Sequence, residues 1–369
     1  MRRRARAFAL FAALLAFWAA PGAQAQESCA GWGFCLYIPA FHGQGALGLN
    51  VATVLNLQVW KTFRRTPYVR PPAPPSRLDF GSAGIAWDTA QLPAQTHKAA
   101  ERALRNWRIG GQMVLWGEAY QYGDGVAVQP RLSIPLYADG RETQHEIWRL
   151  SLGGETLSVD LPSRRYELSP ILLDRDVVAR YEKPNAILVY RHRTGDAVIG
   201  RIGDSFVGEI IEPSQARIRY DGDKRGWIRY GGLERGRSAV VEFVSALIRI
   251  HRADWGGAAS ALARALENNE TKPRLRIDAQ LLLGMAHERG GRDGRAPIAR
   301  ALAAAPYSRV AVQYMVMSHL SGMARFANDA ERRATTIKAV RSLLDAKRQL
   351  FAKDDPWLNA VRRGLERTR

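Results

Sequence analysis

The sequence predicts an α+β multidomain chain: a small N-terminal α/β domain, a central small β-barrel and a C-terminal all-α helical-repeat domain. Three observations carry this. Residues 34–135 alternate strand-like and helix-like periods. Residues 147–236 break into short alternating runs separated by Gly, Asp and Pro. From Ala239 onward, apolar residues recur at helical spacing nearly to the end. A length of 369 residues leaves room for two or three domains. Apolar residues at 46% and charged residues at 24% exclude wholesale disorder, a collagen-like repeat and a polytopic membrane protein.

Residues 1–25 read as a secretory signal peptide. Arg2, Arg3, Arg4 and Arg6 form a basic head, and Ala7–Ala20 is an uncharged apolar run of 14 residues. Such a run is too short to cross a ~30 Å hydrocarbon core as an ordinary helix. Pro21 breaks it, and Ala23-Gln24-Ala25 places small residues at a cleavage site before Gln26. An uncleaved membrane anchor is the alternative. Later in the chain no run approaches 18 apolar residues, so no transmembrane segment is expected after signal removal. Export, periplasmic or secreted, follows from this reading.

Export changes the meaning of the charge. The 54 basic and 35 acidic residues leave +19, and loss of the four leader arginines lowers this to +15 over 344 residues. Only eight of the basic residues are Lys, so the surplus is Arg spread along the chain. Outside the cytoplasm nucleic acid is not the expected partner; an envelope protein, peptidoglycan or an anionic envelope polymer is. Cys29 and Cys35 lie in the exported portion, and their spacing is neither a redox pair nor part of a metal set. An oxidising compartment favours a local disulfide between them.

The α/β domain spans 26–140. Phe34–Ile38 is strand-like, and His42–Gly48 a flexible Gly-rich connection. Asn50–Arg65 has helical spacing at Val51, Val54, Leu55, Val59 and Phe63, although its β-branched content also permits a strand. Arg70–Pro75 must be a loop, and Leu78–Trp87 reads as a strand. Thr96 caps a helix carrying Ala99, Ala100, Ala103, Leu104 and Trp107 on one face. A hairpin follows, Gln112–Tyr122 and Val126–Ile134 around Gly123-Asp124-Gly125. Met113-Val114-Leu115-Trp116-Gly117, Tyr122–Val126 and Leu132 resemble the N-terminal α/β domain of the Tol-system periplasmic β-propeller protein and of the curli-secretion pore protein. The resemblance covers ~100 residues and implies a non-catalytic, partner-binding envelope domain.

A β-rich connector, 141–184, contains the alternating pairs Trp148, Leu150, Leu152 and Leu157, Val159, Leu161. The barrel, 185–236, has short strands at Ile187–Tyr190, Ala197–Ile199, Val207–Ile211, Ile218–Tyr220 and Gly226–Ile228. Asp223–Ile228, with its Gly226-Trp227-Ile228, resembles the closing strand of bacterial Src-homology-3-like (SH3-like) domains. That resemblance implies either a cell-wall peptide binder or a spacer. Trp227 is therefore a packing residue or a ligand-facing one, and Tyr220, Tyr230 and Trp255 are the accompanying candidates for binding.

The helical domain spans 237–369. Phe243, Val244, Leu247 and Ile248 share a face, and Asp254-Trp255 opens a helix with Ala258, Leu262 and Ala265. A similar unit follows with Leu281, Leu282, Met285, a Gly290-Gly291 turn, Ile298 and Ala301. Leu262 to Ile298 is 36 residues. This spacing and Leu283-Gly284 resemble a tetratricopeptide repeat, which implies a concave groove for a protein partner; a generic helical bundle is the alternative. Helices near Val310–Met323, Asp329–Phe351 and Trp357–Glu366 extend the array.

No complete catalytic set is legible, and no cofactor or metal site is expected. The run Gly43-Gln44-Gly45-Ala46-Leu47-Gly48 fits a dinucleotide pattern but lacks an acid ~20 residues on. Gly203-Asp204-Ser205 lacks a histidine preceded at three residues by Asp, as lipase-like esterases have. His287-Glu288 is followed at position 291 by Gly, not a second ligand. Glu118 and Asp124 could act as an acid and base on a glycan, but a hairpin surface is equally their place. The expectation is a non-enzymatic scaffold binding a partner through its helices, with a peptidoglycan binder acting through the barrel, or a divergent hydrolase, as alternatives.

Overall fold

The computed structural model describes residues 35–45, 47–64, 95–106, 111–134, 137–138, 141–142, 146–175, 178, 187–202, 206–212, 215–229, 239–268, 271–326 and 329–368. Residues 1–25, read as a leader, Cys29, the strand expected at Leu78–Trp87, Gly203–Ser205 and Tyr230 lie outside them. The chain is mixed helix and sheet, with several sheets followed by a helical C-terminal region.

The first sheet is built from β1 (Cys35–Tyr37), β2 (Gly111–Tyr122), β3 (Gly125–Ser133), β8 (Arg165–Glu167) and β9 (Ile171–Asp174). β1 runs parallel to β2, which requires the crossover supplied by helices α1 (Leu47–Arg64) and α2 (His97–Asn106). The Asn50–Arg65 periodicity resolves as helix: Val51, Val54, Leu55 and Val59 are buried together. Thr96 caps α2, its Oγ1 accepting from Ala99 N at 3.1 Å. β2 and β3 form the expected hairpin, with Tyr122 opposite Gly125. β8 and β9 lie end to end along the far edge of β3, so part of the stretch read as a connector completes this sheet.

The Gly-rich connection before α1 is fixed by close backbone contact. Phe41 N donates to Gly48 O at 3.0 Å, and a Cβ on Gly48 would stand 1.7 Å from Phe41 O. Only glycine fits there.

Two small hairpins follow, β4 (Tyr137–Ala138) with β5 (Arg141–Glu142), and β6 (Glu146–Leu152) with β7 (Glu155–Asp160). A second sheet of five antiparallel strands has the order β11-β10-β14-β13-β12. Its strands are β10 (Ile187–Tyr190), β11 (Val198–Ile202), β12 (Phe206–Ile211), β13 (Gln215–Tyr220) and β14 (Lys224–Arg229). The first and last strands pair, Tyr190 opposite Trp227, so the meander turns back on itself.

Seven helices follow: α3 (Ala239–His251), α4 (Trp255–Glu267), α5 (Pro273–Arg289), α6 (Arg295–Ala304), α7 (Arg309–Arg325), α8 (Ala330–Ala346) and α9 (Pro356–Arg367). Asp254, Ser308, Asp329 and Asp355 cap four of them through side-chain oxygens. Each helix from α3 to α7 packs on the next, and α5 also packs on α7. The starts of α3, α5 and α7 lie 34 and 36 residues apart. Among the described residues no helix is long and apolar enough to cross a membrane.

Candidate functional site

The helices were expected to offer a groove, so their odd-numbered members matter first. Their inner sides carry Phe243 on α3, Asp278 on α5 and Tyr314 on α7, and each meets the chain's own residues 146–169. Phe243 packs edge-on against Tyr166 of β8 with ring centroids 5.0 Å apart. Tyr314 packs against Trp148 of β6 at 5.8 Å, and its hydroxyl donates to Asp160 O at 2.9 Å. Lys272 N, at the start of α5, donates to Ser169 Oγ at 3.3 Å. α9 closes the far end by packing on β6 and β7, where Arg363 and Arg367 both reach Glu155 at 3.0 Å. Trp148, Leu157, Val159, Tyr166 and Leu168 are buried by this arrangement.

Asp278 is the costly member of that junction. It is 7% exposed, and its Oδ2 has no hydrogen-bond partner. Burial pushes its carboxyl up from 3.8 to about 7, against a smaller opposing pull from Arg274. The same burial holds the Tyr166 and Tyr314 hydroxyls well above 10.0, with Asp278 adding to both effects. Their neighbourhood is structural: both hydroxyls already donate to backbone carbonyls.

The five-stranded sheet presents the opposite situation. Alternation along β13 and β14 sends Ala216, Ile218, Tyr220, Gly226 and Ile228 inward. Arg217, Arg219, Arg225, Trp227 and Arg229 point outward. Tyr220 is therefore a core residue on the face away from Trp227, and its hydroxyl lies against Gly200. Gly226 sits where β10 crowds β14: a Cβ there would stand 2.2 Å from Val189 Cγ1. This close approach explains the glycine before Trp227.

Trp227 is partly exposed between Tyr190 and Arg217. Arg229 lies over the Tyr190 ring, its guanidinium carbon 4.1 Å from the centroid, and pairs with Asp196 at 2.9 Å. Arg225 and Arg217 share Glu209 at 2.9 and 3.6 Å. Arg219 reaches Asp223 at 3.4 Å. The result is an aromatic centre ringed by arginines whose carboxylate partners are themselves on the surface. Trp255, the other candidate, opens α4 and is covered by Arg289 at 4.9 Å; it belongs to the helical layer.

A third arrangement was not anticipated. On the outer side of the first sheet, Trp116 Nε1 donates to Ser133 Oγ at 2.8 Å, and Ser133 Oγ lies 2.8 Å from His97 Nδ1. His97 Nε2 is 3.4 Å from Glu167 Oε1. The order serine, imidazole, carboxylate has the parts of a nucleophilic triad. Ser133, however, is 0% exposed and already accepts from Trp116, so its hydroxyl has no approach for a carbonyl carbon. The chain ties α2 to β2, β3 and β8, reinforced by Arg165–Glu101 at 2.8 Å and by Arg131 bridging Glu118 and Glu167. Positions 97, 133 and 167 sit in three separate elements, and only an isolated histidine at a helix start could have drawn attention to them.

The remaining motifs resolve structurally. Glu118 pairs with Arg131 at 2.7 Å, while Asp124 occupies the hairpin turn. Glu288 is buried, accepting from Gly294 N at 2.8 Å and Ser318 Oγ at 2.7 Å, so it clamps α5, α6 and α7 together. Among the described residues no cluster of three or more His, Cys, Asp or Glu side chains is arranged to hold a metal ion. No protein-family model, curated protein or solved structure matches the chain.

Proposed function

We propose that the protein is a non-enzymatic, exported component of the cell envelope that binds a peptide-bearing cell-wall polymer through the outer face of the β10–β14 sheet. The carrying observation is Trp227, partly exposed at the centre of an outward face that also presents Arg217, Arg219, Arg225 and Arg229. A flat indole gives apolar contact to a peptide, and surrounding guanidiniums match its carboxylates by forked hydrogen bonds. The pairing of the first strand with the last supports an SH3-like reading of this sheet. The helix spacing supports a repeat array, but one that acts as a frame, because its inner side is filled by residues 146–169 of the same chain.

Co-sedimentation with purified peptidoglycan sacculi tests this. Binding should fall at least about tenfold in Trp227→Ala while thermal stability stays near that of the parent protein. Retention of full binding by the variant overturns the assignment.

A second reading, an adaptor for an envelope protein, draws on a different surface. Tyr120, Tyr122 and Leu172 are 52%, 68% and 64% exposed on one face of the first sheet, in the neighbouring rows Tyr120–Ala127–Leu172 and Tyr122–Gly125–Asp174. Gentle cross-linking in cells would favour this reading if adducts formed through that face and survived Trp227→Ala.

A further inference from the structure

The outer face of the first sheet runs in rows from its covered end to its open end. Val114–Ser133–Arg165 comes first, then Trp116–Arg131–Glu167, then Glu118–Gln129, then Tyr120–Ala127–Leu172. α2 covers only the first two rows. Trp116 is 1% exposed beneath it, whereas Tyr120 and Tyr122 on the same side of the same strand are open. The cover is a short helix of 10 residues, and an isolated helix of that length is marginal in water. Its position depends on the contacts it makes with the sheet.

Those contacts are the buried Ala100, the Glu101–Arg165 pair and, at the start of the helix, His97. Trp116 Nε1–H can only donate, so it takes one lone pair of Ser133 Oγ. The Ser133 hydroxyl proton then points to His97 Nδ1, which must be bare to accept it, leaving the ring proton on Nε2 toward Glu167. The imidazole is also edge-on to the Trp116 ring, with centroids 5.2 Å apart. This arrangement holds for a neutral imidazole. A proton added at Nδ1 would turn His97 from acceptor to donor toward Ser133 Oγ, whose second lone pair can receive it beside Trp116, but the buried Ser133 proton would lose His97 as its acceptor.

We propose that α2 is a proton-released cover, in which protonation of His97 unlatches the helix from Ser133 and exposes Trp116 in line with Tyr120 and Tyr122. The charged groups around His97 come from each element that packs there. Glu167 and Arg165 lie on β8, Arg131 on β3, Glu118 on β2, and Lys98, Glu101 and Arg102 on α2 itself; β4 contributes only Tyr137 and Ala138. Burial is the dominant influence and lowers the imidazole below its ordinary 6.5, while Glu167 opposes it. The docked helix therefore binds a proton less readily than the undocked one. Docking is strongest above 6.5 and weakens as pH falls below it.

Hydrogen exchange of the intact protein between pH 7.5 and 5.0 tests the latch. Protection factors for residues 97–106, corrected for intrinsic rates, should drop about tenfold at the acidic end, while those of α5 and α7 hold. His97→Asn keeps an acceptor beside Ser133 and has no titrating ring, so α2 should lose its pH response. Glu167→Gln removes the group that favours the charged ring and should move the transition to lower pH. PH-independent protection in the parent protein overturns the proposal. So does an unchanged response in His97→Asn, or a transition in Glu167→Gln that stays put or moves upward.

Discussion

The inner side of α3, α5 and α7 and the outer side of β10, β13 and β14 are both long surfaces, yet they have opposite histories in the folded chain. The first is sealed by Trp148, Tyr166 and Asp160 from the same polypeptide. The second carries Trp227 and four arginines into solvent, held in place by exposed carboxylates. A helical array binds other molecules through surface that its own chain leaves free. Here that surface has become core, and the sheet is the face proposed for recognition. The sealed face should respond to substitution in stability, and the open face in binding.

The largest effect is expected at Trp148, 2% exposed between β6 and α7. Trp148→Ala should cost about 3–5 kcal/mol in urea denaturation. A loss under about 1 kcal/mol would mean that the β6–β7 hairpin sits loosely and that the helices are available to a partner. Asp278 offers a sharper probe of the same junction. Its folded pKa is raised to about 7, so the folded state holds a proton that the unfolded chain releases near 3.8. The stability it contributes is complete below about 3.8 and declines as pH rises through about 7. Asp278→Asn should therefore gain about 2 kcal/mol relative to the parent protein on going from pH 5 to pH 8. Equal differences at both pH values would contradict a buried, titrating carboxyl.

On the open face the pattern should invert. Trp227→Ala should leave unfolding within about 1 kcal/mol of the parent and remove most sacculus binding. Glu209→Gln should be the mildest, changing stability by less than about 0.5 kcal/mol because surface ion pairs contribute little. By freeing Arg217 and Arg225 it should strengthen binding to an anionic polymer, most visibly at low salt, and calorimetric titration at two salt concentrations would show this.

Much of the fold is written locally. Thr96, Asp254 and Asp329 announce helices because a single side-chain oxygen satisfies an amide two or three residues on. Gly123-Asp124-Gly125 announces a hairpin because few residues turn so tightly. What stays hidden depends on partners far away in sequence. β8 and β9 join β3 across 32 residues or more, and nothing in Arg165–Asp174 signals which edge they will meet. The filling of the helical face is hidden for the same reason: Trp148 looks like any alternating strand residue until Tyr314, from α7, lies against it. Of the binding candidates, alternation along β13 and β14 would have separated Tyr220 from Trp227, since residues at even and odd offsets face opposite ways once the hairpin register is known. His97, Ser133 and Glu167 were illegible, each being ordinary in its own element.

The most direct test is a hydrogen-exchange footprint of the whole protein with and without saturating sacculus fragments. The expected result is new protection on β10, β13 and β14 around Tyr190 and Trp227, with α3, α5 and α7 unchanged because residues 146–169 already protect them. New protection on α3, α5 and α7, with none on the sheet, would contradict the assignment and return recognition to the helices.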